Sequence, residues 1–266
     1  MPLLRLALLA LAALVAVILG YGYFFARPSG PPPQAAAIGR ASPQAVAAVR
    51  RLLDADYVAT AEFAPFFERF KIAYPAEYEA SLAAFSERSA AAGEIGSPDL
   101  LVSDAARALR QSRGVLAAKA GGPALDHIFE VQLAMLRTLS LVNPRLCANY
   151  LFGGESADFL NFSASHRKLV ATMAMAGLDA IKDGAINRIS RARPAPQDFQ
   201  ALEEGLRAKG LGTPEIEALL DGKADPSLDD EKMCRAGGTY LETLATLPEE
   251  PRRRIYGLAI ELMARS

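Results

Sequence analysis

The chain has 266 residues, 51% of them apolar and 22% charged, with a formal net charge of −1. Those proportions exclude an intrinsically disordered chain, and the near-neutral balance, without a basic stretch, excludes an electrostatic nucleic-acid binder. Two histidines, two cysteines and no tryptophan leave little for a metal centre or a tryptophan-anchored hot spot, so no metal and no cofactor is expected.

The first element in chain order is an apolar run from Leu3 to Phe25 whose only charge is Arg5. A helix rises 1.5 Å per residue, so such a run crosses roughly 30 Å of hydrocarbon. A secretory signal peptide has a shorter apolar centre, of about 7 to 15 residues, and no cysteine lies here to accept a lipid. Tyr21, Tyr23, Phe24 and Phe25 stand where an aromatic belt meets the far headgroups. Residues 1–26 are therefore expected to be a transmembrane signal anchor, with residues 3–25 in the membrane. Basic residues lie on both sides (Arg5; Arg27, Arg40, Arg50, Arg51), so charge fixes orientation weakly. The short N-terminal tail favours a cytoplasmic N-terminus, which puts the rest in the periplasm of a single-pass inner-membrane protein. Residues 27–42 read as a proline-rich and alanine-rich linker, extended at about 3 Å per residue and so reaching about 40 Å.

Residues 43–266 are expected to form a soluble helical domain. All 30 acidic residues follow residue 53, and residues 28–266 carry 27 basic side chains against them. Ser42-Pro43 is an N-cap followed by a proline suited to the first helical position, and Val46, Val49, Leu52 and Leu53 recur at helical spacing. Ser97-Pro98-Asp99 repeats the signal ahead of Leu101, Ala105 and Leu109, with two more helices expected between. Gly121-Gly122-Pro123 opens a strongly apolar segment holding Ile128, Phe129, Leu133, Leu136 and Leu139, the candidate central helix. Asn143-Pro144 ends it, and Arg145 to Phe152 reads as a short helix closed by Gly153-Gly154. An alanine-rich helix follows from about Ser165 to Ile181. Pro194 and Pro196 then introduce helices near 196–209, 213–220, 227–247 and 251–264. No run alternates apolar and polar residues at strand period, so the fold class is all-α, an irregular multi-helix bundle.

Cys147 and Cys234 both lie in apolar helical contexts of the part expected to be exported. An oxidising compartment permits a disulfide between them. Gly237 and Gly238, near Cys234, would let another backbone approach closely enough for one. Closing the span would contribute about 4 to 5 kcal/mol in the chain-entropy model. The alternative is two buried thiols acting as small apolar residues.

Asp126, Glu130 and Arg137 recur at spacings of four and seven on the central helix, with His127 three residues before Glu130. A carboxylate and an imidazole one turn apart suit proton transfer or metal binding, whereas the plainer reading is a solvated face with ordinary ion pairs. Ser163, Ser165 and His166 read as a capped helix start, because no Gly-x-Ser-x-Gly elbow precedes them. Arg252, Arg253 and Arg254 read as a solvated run, the alternative being an anionic lipid or partner site. The chain also lacks a phosphate-binding glycine loop, a His-Glu-x-x-His motif and a dinucleotide fingerprint.

The block Asn143-Pro144-Arg145-Leu146-Cys147-Ala148-Asn149-Tyr150-Leu151, with Cys234 to Leu241 and the closing helix from Pro251 to Ala264, resembles uncharacterised proteobacterial proteins that join an N-terminal hydrophobic segment to a helical domain. The resemblance implies a bacterial envelope placement and no activity. The functional expectation is a non-enzymatic domain for contact with an unidentified protein, or for assembly, at the cell envelope. The alternative is an envelope enzyme or small-ligand binder with a polar site at Asp126, His127 and Glu130.

Overall fold

The computed structural model describes residues 42–151, 157–222 and 227–265. The expected anchor, nearly all of the linker and the Gly153-Gly154 break lie outside them. No helix of the described residues is long and apolar enough to cross a membrane.

The described residues are all-helical, without a strand. Ser42 caps α1 (Pro43–Leu52) by accepting the Ala45 amide at 3.2 Å, and one π turn, Leu53–Tyr57, extends it. Helices α2 (Ala64–Ala73) and α3 (Pro75–Ala92) each begin with a proline in the first turn, where its missing N–H has no intrahelical partner to lose. Gly93, at φ 73°, ends α3 in the left-handed conformation that a Cβ disfavours. Ser97 caps α4 (Pro98–Arg113), and a 3₁₀ stretch, Gly114–Lys119, leads to α5 (Gly122–Val142). The Asn143 carboxamide oxygen accepts the Arg145 and Leu146 amides and so starts α6 (Pro144–Leu151). Then come α7 (Ala157–Ser165), α8 (Arg167–Asn187), α9 (Pro196–Ala208), α10 (Thr213–Leu220), α11 (Asp230–Thr246, capped by Asp229) and α12 (Glu249–Arg265).

One apolar core runs from Val49 to Ile260. Its N-terminal part is aromatic: Phe63, Phe66, Phe67, Phe70, Tyr78 and Phe85 are buried, with Phe70 edge-on to Tyr78 at 5.8 Å. Helix α5 is the centre, burying Leu125, Ile128, Phe129, Val131, Met135, Leu136 and Leu139. Those positions cover more than one side of a 3.6-residue repeat, as expected of a helix with neighbours on several sides. It packs against α8, α11, α6 and α12. The Gly121 amide donates to Asp183 near the C-terminal end of α8, so α5 and α8 run antiparallel.

The 3₁₀ stretch is gripped between α8 and α12. A Cβ on Gly184 would lie 1.8 Å from the Leu116 carbonyl oxygen, so only glycine lets α8 approach this backbone. The grip satisfies carbonyls that a short 3₁₀ piece leaves open: the Ile189 amide donates to Lys119, and the Arg191 guanidinium donates to Ala118 and Ala120.

Candidate functional site

Asp126, His127 and Glu130 occupy the N-terminal half of α5, where Asp126 is tied to another helix and His127 lies against Glu130. Asp126 accepts from Arg253 at 2.6 Å and lies 3.6 Å from the Arg252 Nε, both on α12. His127 and Glu130 are 3.7 Å apart, with side chains 53% and 73% exposed. An exposed polar pair one turn apart on a helix is an ordinary solvated contact that contributes little. Arg137, two turns on from Glu130, pairs with Glu242 of α11 at 2.8 Å. Among the described residues no group of three or more His, Cys, Asp or Glu side chains is placed to hold a metal ion.

Arg252, Arg253 and Arg254 are internal ties, which corrects their reading as a solvated run. Arg252 donates to the Ala245 carbonyl at 3.0 Å, and Arg253 donates to the Gly122 carbonyl at 2.7 Å as well as to Asp126. Arg254 grips Asp198 through two hydrogen bonds of 2.8 Å. Asp198 also accepts the Ala195 amide, and the Arg254 guanidinium holds its carboxyl below the usual carboxylate range. Glu249 and Glu250, one turn earlier, offset the cations near the helix N-terminus.

Ser163 and Ser165 lie in the last turn of α7, whereas His166 is the N-cap residue of α8: its carbonyl accepts the Leu169 and Val170 amides at 2.9 and 3.2 Å, and no side chain caps the start. The Ser163 hydroxyl, 1% exposed, donates to the buried Asp99 carboxylate at 2.8 Å, and Arg167 donates to the same carboxylate at 2.9 and 3.2 Å. Asp99 is thereby a structural acceptor that ties α4 to α7 and α8. His166 stacks on Phe162 at 4.3 Å, with its Nδ1 3.0 Å from the Phe162 carbonyl. Beside it an open depression of about 540 Å³ is lined by Glu62, Ser165, Lys168 and Thr172. Tertiary partners 64 and 68 residues away make this network, and local patterning carries no signal for them.

The cysteines come together. Cys147 on α6 and Cys234 on α11 pair as a disulfide with their Cα atoms 5.5 Å apart, and they are 0% and 4% exposed. The backbone approach expected at Gly237 and Gly238 is not what these glycines permit: at Gly237 a Cβ would fall 2.4 Å from the Leu151 side chain, so the glycine makes room for that side chain. Next to the disulfide, a half-open groove of about 280 Å³ runs between α5 and α11. Leu136, Cys234 and Gly238 contribute to its lining, with Arg137, Ser140, Pro144, Glu231 and Arg235. A Cβ on Gly238 would meet nothing within 4 Å. Leu141 and Val142 end α5, 88% and 55% exposed, and Leu141 stands one helical turn on from Arg137 of the groove lining. This groove with its apolar border is the candidate contact site; sequence reading placed the disulfide next to it but not the groove.

Compared with protein-family models, curated proteins and solved structures, the chain has no significant match.

Proposed function

We propose that residues 43–266 form a periplasmic helical domain, held to a bacterial inner membrane by a single anchor at residues 3–25 and acting through protein contact at the cell envelope. The observation that carries the placement is the buried Cys147–Cys234 pair, since such bonds persist in oxidising compartments. The apolar run, whose only charge is Arg5, supports the anchor, because about 20 such residues satisfy a bilayer. Leu141 and Val142 support the contact role: two exposed apolar side chains beside a groove supply what an interface core needs, a desolvatable patch with polar groups at its rim.

Alkylation of free thiols in isolated membranes, before and after reduction, tests the placement. The expected result is a chain that stays with the membrane through alkaline extraction, with Cys147 and Cys234 modified only after reduction. Thiols that react in the unfolded but unreduced chain would sink the export, and release by alkali would sink the anchor.

A further inference from the structure

We infer that the groove and the end of α5 form a self-complementary face on which a second copy of this chain docks, Leu141 of each copy entering the groove of the other. The inference rests on reading this face as a contact surface and names its occupant. Ser140 and Pro144 line the groove, and Leu141 falls between them in sequence with 88% of its surface exposed. Knob and hollow are therefore neighbours on one patch. The hollow has room, since the space beside the Gly238 Cα is open. A two-fold interface uses the same patch on both subunits, so a patch that carries both an apolar projection and a hollow lined in part by Leu136, Pro144, Cys234 and Gly238 fits itself.

Charge decides between a copy and a stranger. Glu231 and Arg235 lie one turn apart on α11, both exposed and both on the groove's rim. Glutamate four residues ahead of a basic residue is the favoured order for a helical ion pair. Among the described residues neither side chain has an ion pair or a hydrogen bond, whereas Arg137 on the same rim is matched to Glu242. A two-fold axis brings Glu231 of one copy to Arg235 of the other, and does so twice. An acidic partner would match Arg235 and repel Glu231, and a basic one the reverse.

The test uses the full-length chain in its own membranes, expressed with two different tags and with a photo-crosslinking residue at Leu141, where exposure spares the fold. The expected product joins the two tags at twice the 28.3 kDa chain mass, through peptides spanning residues 136–144 or 231–238. Glu231→Arg alone, or Arg235→Glu alone, is expected to cut that product roughly tenfold, because like charges then face each other. Co-expressing the two single variants restores it, because every facing pair is again opposite in sign. Gly238→Leu, which fills the hollow, abolishes it. Resistance to limited proteolysis equal to that of the unsubstituted chain shows that each variant is folded. Crosslinks from Leu141 to a different protein alone would overturn the second copy and leave the contact surface standing. No protein crosslink at all would overturn both. Single charge variants that keep the product, or a mixture that fails to regain it, would overturn the inference.

Discussion

Gly177 and Gly184 lie two turns apart on α8 and respond to a methyl group in opposite ways. At Gly177 a Cβ meets nothing within 4 Å, so Gly177→Ala is expected to raise stability by about 0.5 to 1 kcal/mol through helix propensity. At Gly184 the same atom would overlap the Leu116 carbonyl oxygen, so Gly184→Ala is expected to cost about 1 to 3 kcal/mol as the 3₁₀ stretch is pushed away. Urea midpoints for the two variants should move in opposite directions; a shared direction would refute the close approach. Asp198 gives a pH signature. Its carboxyl titrates below the ordinary value near 3.8 because Arg254 donates to the ionised form. A depressed folded value stabilises the fold fully above the ordinary value, and that stabilisation is lost as pH falls through the folded one. The stability gap between the wild type and Asp198→Asn should thus stay level from pH 7 to about 5 and close below about 4. Urea titrations across that range read it directly.

At the scale of elements, α12 is fastened by the three arginines of its first turns. Arg253 reaches across to the first turn of α5, so Arg253→Ala should leave the Gly122 carbonyl and Asp126 short of a donor and cost about 1 to 2 kcal/mol. Faster amide exchange over residues 122–126, with little change in α8, is the expected readout; uniform acceleration would mean that the tie is not local. The helix starts at Ser42-Pro43, Ser97-Pro98 and Gly122-Pro123 were legible in the sequence because cap and proline act within a turn of themselves. Helix α7 was missed. It is 9 residues long and buries only Phe162 and Ser163 completely, too few positions to establish a helical period. The arginine run was misread for a related reason. Its carboxylate partners Asp126 and Asp198 are 127 and 56 residues away, and no local pattern announces them. Asp126, His127 and Glu130 share a stretch of α5, as their spacing implied, but the tie from Arg253 of α12 to Asp126 is long-range and has no local signal.

Across the whole molecule, the disulfide bridges a sequence separation of 87 residues and joins α6, which follows the central helix, to α11 near the C-terminal end. Replacing both cysteines with serine should lower stability by up to about 4 to 5 kcal/mol, the loop-entropy limit, with the helices retained in mild conditions. Reductant should shift the wild-type urea midpoint toward that of the double variant and leave the variant itself unmoved. The pairing could be anticipated from sequence because only two cysteines exist; the groove beside it could not, since it depends on how α5 and α11 lie against each other. The same scarcity governs how the chain matures. With two cysteines and no third, a single chain has one connectivity open to it, so whatever order its helices form in, oxidation within that chain cannot leave a wrong pairing to be reshuffled. Its biogenesis calls for an electron acceptor and for no proofreader.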